Sequence, residues 1–158
     1  MRIYTKTGDS GKSDTISDEE LSKDDLVFDV LGTIDELSAA LGVAKSEADS
    51  ELQKIIGRVQ TQLISVAAYA AGGEKVDFVS LTGECENIID KFSAEVKLPD
   101  TIILSGKTLT GARIDVSRTV ARRLERVVVS TKKFDESLMY FNRLSDLLFV
   151  LARVADER

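Results

Sequence analysis

The sequence of 158 residues contains no histidine and no tryptophan, and it has one cysteine and one proline. Without histidine the chain cannot build the usual zinc sites, a Ser-His or Cys-His nucleophile pair, or the His ligands of a ferritin-like di-iron bundle. Cys85 has no second cysteine for an intrachain disulfide, which is typical of a reducing compartment, and we expect a buried structural thiol. Any chemistry must therefore rely on Arg, Lys, Asp, Glu, Asn, Ser and Thr.

Acidic residues outnumber basic ones, and long apolar runs are scarce. The net charge of -6 argues against a general nucleic-acid binder. No apolar run is long enough to span a membrane, and the amino terminus M-R-I-Y-T-K-T-G lacks the apolar core of a signal peptide. We therefore expect a soluble cytoplasmic protein that binds neither nucleic acid nor a membrane.

The length and the apolar periodicity predict a single all-α domain, residues 1–158. A chain of this size buries roughly 70% of the surface that its unfolded form exposes, so one core is sufficient. Residues 1–22 read as a loop, called here the N-terminal loop, and residues 23–158 as a five-helix bundle. The helices are predicted at about residues 23–45, 50–71, 80–96 and 108–131, and from residue 135 onward.

Local signals predict where these helices begin. Ser22, Ser50, Thr108 and Asp135 have the positions and side chains of helix caps. Residues 101–106, T-I-I-L-S-G, form a short apolar run that ends in glycine, and we interpret it as an extended segment that covers the core.

The fourth predicted helix carries an unusual concentration of arginine between Ile114 and Arg126. At about 100° per residue, one quarter of its surface holds Arg118, Arg122, Glu125 and Arg126, and another holds Val116, Val120, Leu124, Val127 and Val128. Guanidinium groups in this register repel one another unless an anion offsets them, and their planar forks suit carboxylate and phosphate oxygens. The alternative is a solvated face neutralised by Glu125 and neighbouring acids.

Polar residues also border the apolar faces of two other helices. On the fifth they are Asn142, Asp146 and Arg153, in line with Phe149; on the first they are Asp29, Asp35 and Glu36. Burying such rows of polar side chains inside a bundle would destabilise the fold, but they suit a ligand site or a subunit interface. A carboxylate at the edge of the first helix is a candidate partner for an arginine of the fourth. Taken singly, each is also an ordinary boundary residue.

The N-terminal loop contains G-D-S-G-K-S at residues 8–13, which resembles the end of a P-loop. A P-loop requires glycine five residues before Gly11, where this chain has Lys6, together with a strand before it and a helix directly after it. We therefore exclude that fold. Backbone N–H groups with Thr5, Lys6, Thr7, Lys12 and Ser13 still offer the parts of a phosphate cradle. An ordinary flexible terminus is the alternative.

Five blocks in order resemble the PduO-type ATP:corrinoid adenosyltransferases, also called cob(I)alamin adenosyltransferases. They are I-Y-T-K-T-G-D-x-G at 3–11, S-K-D-D at 22–25, G-T-I-D-E-L at 32–37, R-T-V-A-R-R-L-E-R at 118–126 and N-R-L-S-D-L-L-F-V-L-A-R at 142–153. The similarity covers the whole chain, and the last two blocks are the most specific.

The resemblance implies a homotrimer with active sites between adjacent subunits, which transfers the 5'-deoxyadenosyl group of ATP to the cobalt of a reduced corrinoid and releases triphosphate. It implies Mg²⁺ held by the ATP phosphates and no metal held by the protein. The implied ATP-binding residues are Thr5, Lys6, Thr7, Gly8, Ser13, Asp14, Lys23, Arg122, Arg123, Leu124, Glu125, Arg126 and Asn142. Arg122 is implied to act in catalysis, Asp35 and Arg118 to pair across the subunit boundary, and Ile102 and Asp146 to lie toward the corrinoid.

The chain also departs from the family pattern. Where the family usually has F-I-L-P-G-G before the fourth helix, this chain has I-I-L-S-G-K, so that Ile102 replaces an aromatic residue, Ser105 a proline and Lys107 a glycine. In the N-terminal loop, D-E-E-L at 18–21 replaces a G-G-E-R-like stretch, and Asp14 stands where a hydroxyl residue is common. These departures favour an alternative function, a non-catalytic nucleotide- or corrinoid-binding regulator or chaperone. A structural bundle without a ligand is a third.

Overall fold

The computed structural model describes Tyr4 and residues 6–17, 20–98 and 101–158, and five α-helices make up most of this part of the chain. They are α1 (Leu26–Lys45), α2 (Ser50–Ala70), α3 (Phe78–Ser93), α4 (Leu109–Thr131) and α5 (Leu138–Glu157). The predicted all-α five-helix bundle is therefore confirmed. None of the described helices is both long enough and apolar enough to cross a membrane.

The N-terminal loop has more regular structure than the sequence predicted. A 3-10 turn at Thr7–Ser10 precedes two short strands, β1 (Lys12–Asp14) and β2 (Glu20–Ser22), which pair in antiparallel register with Ser13 opposite Leu21. Strands of three residues are too short to show an alternating pattern, which is why sequence periodicity did not reveal them.

Aspartates begin three of the helices, and three of the four predicted caps were wrong. The carboxylates of Asp25, Asp49 and Asp77 accept hydrogen bonds from backbone N–H groups in the first turns of α1, α2 and α3. The predicted caps Ser22 and Ser50 do not serve, because an aspartate occupies the position just before the first turn. Asp135 begins a 3-10 turn (Asp135–Ser137) that precedes α5.

The cap of α4 was predicted correctly. The Thr108 hydroxyl accepts the Gly111 N–H at 3.0 Å, and the helix ends at Thr131 as expected. α3 begins at Phe78 and ends at Ser93, two or more residues earlier than predicted at each end. Pro99 and Asp100, which were expected to stop it, lie outside the described residues.

α4 lies between α1 and α5 and runs antiparallel to both. Ion pairs join Arg113 to Glu47 and Arg123 to Glu36, so the numbering falls along α1 as it rises along α4. Contacts from Arg58 of α2 to Glu84 of α3 close the ring of helices on the opposite side. All five helices thus share two ends. The end with the N-termini of α1, α3 and α5 is called here the loop end, because the Ile16 N–H bonds the Ala71 carbonyl there at 2.9 Å.

The core runs along the axis of this ring and consists of residues on the inward face of each helix. Full burial of one such leucine stabilises the fold by about 2 kcal/mol. Fully buried examples include Leu37, Leu41, Leu52, Leu63, Leu124, Leu144, Leu148 and Leu151. At the loop end, rings pack edge to face, with centroids 5.5 Å apart for Tyr69 and Phe78 and 5.7 Å apart for Tyr69 and Phe134.

One prediction about buried surface was wrong, and a second was correct in part. Residues 101–106 adopt no helix or strand, but they do not cover the core, because Ile102 is 100% exposed and Leu104 is 92% exposed. On α4, Val120, Leu124 and Val128 of the predicted apolar cluster are buried, whereas Val116 is 57% exposed. Ile114, Ser117 and Ala121 complete the buried face.

Candidate functional site

The exposed face of α4 carries two arginines that no carboxylate neutralises. In the described parts of the chain, no acidic side chain lies within ion-pair distance of Arg122 or Arg126, and the one hydrogen bond between them runs from Arg126 Nη1 to the Arg122 carbonyl at 2.9 Å. Both side chains are exposed. Two adjacent, unpaired guanidinium groups repel each other and form a site for an anion with several oxygens.

The other two arginines between Ile114 and Arg126 are paired within the chain, as is Arg113 at the start of the helix. Arg123 donates to the Glu36 carboxylate on α1, and Arg118 Nε donates to Asp115 Oδ1 at 2.9 Å. Neutralisation by nearby acids, the alternative that the sequence left open, therefore holds for one pair of arginines and fails for the other pair. Glu125, the acid expected to neutralise the face, instead accepts a hydrogen bond from Asn142 Nδ2 at 3.2 Å.

Asn142 and Asp146 lie on α5 beside this face. The Asn142 amide bridges α5 to α4 through Glu125. The Asp146 carboxylate accepts from Arg143 Nη1 at 3.0 Å, and the same Arg143 binds Glu86 of α3 at 3.0 Å. Asn142 and Arg126 thus share one stretch of surface in the half of α4 nearest the loop end, whereas Asp146 is engaged toward α3.

The N-terminal loop closes on itself near the same end of the bundle. Lys23 Nζ donates to the Gly8 carbonyl at 2.7 Å, and the Lys23 N–H donates to the Gly11 carbonyl at 2.9 Å. A Cβ atom at Gly8 would stand 2.8 Å from Lys23 Nζ, so a larger residue there would require the end of the lysine side chain to shift. Lys6 has a left-handed backbone with φ 66°, which costs about 1 kcal/mol or more in a non-glycine residue.

These contacts bring part of the predicted nucleotide set together. Gly8 lies in the 3-10 turn that Lys6 precedes, and Lys23, which follows β2, binds that turn. Ser13 and Asp14 lie on the strand β1 that follows the turn. Thr5 and the side chain of Thr7 lie outside the described residues. Leu124 is buried in the core, so that only its backbone is available to a ligand.

Ile102 lies at the opposite end of the bundle from the N-terminal loop. Lys107 binds Glu157 at 2.8 Å and the Thr108 N–H binds Asp156 at 3.1 Å, which fixes this segment beside the C-terminus of α5. α4 has 23 residues, and at 1.5 Å per residue it separates the two ends by about 35 Å. Within one chain, Ile102 and the N-terminal loop therefore do not form a common site.

Asp35 and Arg118 are also separate within the chain. Asp35 is exposed and borders a groove of about 130 Å³ between α1 and α2, together with Ile34, Ser38 and Ile64. Ile64 is 68% exposed, which is unusual for a large apolar side chain next to a groove. Arg118 binds Asp115 on its own helix instead.

A buried ion pair between α4 and α5 was not predicted. Arg153 was expected on the polar border of α5, but it is 7% exposed, and its Nη2 donates to Asp115 Oδ2 at 2.5 Å. Asp115 itself is 4% exposed. No local signal in the sequence indicated this pair, because the two residues are 38 positions apart.

The remaining candidates for protein-based chemistry are unsuited to it. Burial is the largest cause that raises the pKa of the Cys85 thiol to about 12, so it is protonated near neutral pH, and the expectation of a buried structural thiol is confirmed. Across residues 6–17, 20–98 and 101–158, no group of three or more Cys, Asp or Glu side chains is arranged to hold a metal ion.

The chain is similar to known proteins in sequence and in fold. The family model for cobalamin adenosyltransferase matches residues 3–155. A corrinoid adenosyltransferase from Citrobacter freundii is 34% identical, with 98% of this chain and 95% of that protein covered, and one from Bacillus subtilis is 34% identical, with 100% and 88% covered. A variant of the PduO-type ATP:corrinoid adenosyltransferase from Lactobacillus reuteri, complexed with cobalamin and ATP, superposes with a TM-score of 0.91 at 30% identity, with 99% of this chain and 91% of that chain covered.

Proposed function

Because this chain belongs to the cobalamin adenosyltransferase family, we propose that it transfers the 5'-deoxyadenosyl group of ATP to the cobalt of a reduced corrinoid. The observation that carries the proposal is the unpaired state of Arg122 and Arg126 on a face that also presents Asn142. In this reaction Co(I) attacks C5', the C5'–O bond breaks with its electron pair, and triphosphate leaves. The nucleophile belongs to the substrate, so a chain without histidine needs no base or nucleophile of its own.

The side chains of the protein bind the triphosphate and stabilise the negative charge that grows on it as the C5'–O bond breaks. Arg122 and Arg126 supply guanidinium groups from α4, and Arg122 acts in catalysis by stabilising the charge on the leaving triphosphate. The remaining members of the nucleotide site are Thr5, Lys6, Thr7, Gly8, Ser13, Asp14 and Lys23 of the N-terminal loop and its following turn, with Arg123, Leu124, Glu125 and Asn142. Mg²⁺ enters with the ATP phosphates, and the protein supplies no ligand to it.

The separation of the site residues favours a site shared between copies of the chain. The N-terminal loop and Ile102 lie at opposite ends of the bundle, and Asp35 and Arg118 do not meet within one chain. A homotrimer with active sites between adjacent subunits would bring such residues together, with Asp35 of one copy paired to Arg118 of the next. Ile102 and Asp146 would then face the corrinoid, whose flat ring suits the fully exposed Ile102 side chain.

One feature favours the alternative, a nucleotide- or corrinoid-binding regulator or chaperone without turnover. The segment that carries Ile102 and Ser105 is exposed and has no aromatic side chain with which to stack on the corrinoid. A protein that binds ATP through the arginines of α4 but orients the corrinoid poorly would bind its ligands without transferring the adenosyl group.

A spectroscopic assay separates these functions. Protein, ATP, Mg²⁺ and chemically reduced cobalamin are combined without oxygen, and the loss of the Co(I) absorption is followed. Product formation supports the transferase. ATP binding without product supports the regulator, and a protein that does neither contradicts both.

A matched variant controls for nonspecific effects of charge. Arg58 is an exposed arginine that pairs with Glu84 on the far side of the bundle, so Arg58→Ala is expected to retain the wild-type rate. An equal loss of rate in Arg58→Ala and Arg122→Ala would show that the assay responds to net charge rather than to the proposed site.

A further inference from the structure

Asp115 uses its two carboxylate oxygens to bind two arginines of different helices. Oδ1 accepts from Arg118 Nε at 2.9 Å on the same helix, and Oδ2 accepts from Arg153 Nη2 at 2.5 Å on α5. The Asp115 side chain is 5% exposed. The carboxylate therefore links a buried cation to one that reaches the surface.

The charges in this cluster balance. Arg153 Nη2 also lies 3.3 Å from Asp156 Oδ2. The two carboxylates of Asp115 and Asp156 therefore neutralise the two guanidinium groups of Arg118 and Arg153. Burial alone would raise the pKa of Asp115, but hydrogen bonds from Arg118, Ser105 and Arg153 outweigh it and hold the pKa below its ordinary value. Asp115 is consequently ionised at neutral pH and forms an ion pair with Arg118.

Arg118 is bound by only one of its nitrogens. The contact with Asp115 engages Nε, and in the described residues no partner binds the terminal Nη1 and Nη2 groups. The side chain is 26% exposed. Because the guanidinium is planar and rigid, an anchor at Nε fixes the direction in which the terminal edge points, and that edge still offers two N–H groups to a second oxyanion.

We propose that Asp115 is a positioning residue, which holds Arg118 at Nε and presents its terminal edge to a carboxylate from a second copy of the chain. This inference rests on the proposed function, in which that carboxylate is Asp35. Asp35 fits the role because it is exposed beside a groove and has no ion-pair partner among the described residues. By orienting Arg118, Asp115 supports the ion pair between subunits that holds the shared site together.

A double-mutant cycle tests the coupling between the two residues. Asp115→Asn removes the charge with little change of shape, and Arg118→Lys removes the fork but keeps the charge. Each single variant is expected to lower kcat by about tenfold, and the double variant by about the same tenfold, because both changes break one unit. Independent residues would give about a hundredfold loss in the double variant, and that result would overturn the inference.

Ile56→Ala is the control for damage to the fold. Ile56 is fully buried on α2 and is not part of the proposed site, so this change removes core packing but no contact of Arg118. We expect its thermal midpoint to fall while its kcat stays within about twofold of wild type. A loss of kcat as large as that of Asp115→Asn would show that the effect comes from lower stability of the fold, and would overturn the inference.

Sedimentation equilibrium separates failure of this inference from failure of the proposed function. If the unmodified protein shows no turnover, the proposed function fails, and self-association still tests the role of Asp115. Asp115→Asn and Arg118→Lys are then expected to raise the dissociation constant of the oligomer by similar factors, whereas Ile56→Ala leaves it unchanged. Unchanged association in all three variants would overturn the inference.

Discussion

In the first half of α4, Arg118 is bound by a buried acid of its own helix, whereas in the second half Arg122 and Arg126 have no acidic partner in the described part of the chain. The four arginines between Ile114 and Arg126 thus differ in their surroundings, since Arg118 and Arg123 have acidic partners and Arg122 and Arg126 have none among the described residues. Where α4 packs against α5, the fold supplies Asp115 and Arg153 and neutralises the charge. Where α4 faces outward near the loop end, two cations remain available to a ligand. Each of the following measurements tests that difference.

The largest expected effect is on the stability of the paired half. Arg153→Met leaves Asp115 with one cation fewer in a buried site, and breaking a buried pair costs about 3 kcal/mol or more. Arg123→Met breaks the exposed pair with Glu36 and is expected to cost no more than about 1 kcal/mol. Urea unfolding at a fixed protein concentration measures both. Equal costs would show that the buried pair has no special role in the fold.

The next effect concerns ligand binding by the unpaired half. Inorganic tripolyphosphate at a hundred times its dissociation constant should stabilise the folded protein by about 2.7 kcal/mol, seen as a rise of several degrees in the thermal midpoint. The variant with Arg122→Ala and Arg126→Ala should lose this rise, while Arg58→Ala keeps it. A full rise in the double variant would place the anion site elsewhere.

Catalysis should distinguish an unpaired arginine from its paired neighbour. We expect Arg122→Ala to lower kcat and kcat/KM by tenfold or more, with about 1.4 kcal/mol for each factor of ten. Arg123→Ala should lose less, because the Arg123 guanidinium already binds Glu36. Steady-state rates for ATP at saturating reduced cobalamin measure both. An unchanged rate in Arg122→Ala would remove this residue from the mechanism.

The smallest effect is on the pH dependence of stability. Since the pKa of Asp115 is held below its ordinary value, its contribution to stability is present above the pKa of the unfolded state and is lost as the pH falls through the lower folded-state value. Asp115→Asn should therefore lose less stability than wild type between neutral pH and pH ~3. Parallel acid-unfolding curves would show that Asp115 does not titrate differently in the folded protein.

The helices were predictable because their signals are local. The spacing of Leu37, Leu41 and Ala44 identifies the buried side of α1 from neighbouring residues alone, and Thr108 caps α4 as its sequence context indicates. The short sheet and the aspartate caps depend on small differences between adjacent residues. The spacing of apolar residues locates a helix only to within one or two residues, so it cannot identify which adjacent residue is the cap.

The candidate site was predictable in composition but not in pairing. The arginine stripe and the resemblance identify Arg122 and Arg126, and the structure adds that these two are the unpaired ones. Nothing in the local sequence indicates that Arg153 turns inward to Asp115, since the two residues are 38 positions apart. The exposure of Ile102 was missed for a related reason, because the apolar character of residues 101–106 does not show whether the segment packs against the core.

The sequence by itself determined the helical class, the absence of histidine chemistry and the concentration of arginine on one helix, because composition and periodicity are properties of the chain. The tertiary structure alone decided which of those arginines are neutralised. Arg123 binds Glu36 of α1, whereas Arg118 binds Asp115 of its own helix, which is bound in turn by Arg153 of α5. Ion pairing depends on distances of a few ångströms across the bundle, and only folding sets those distances.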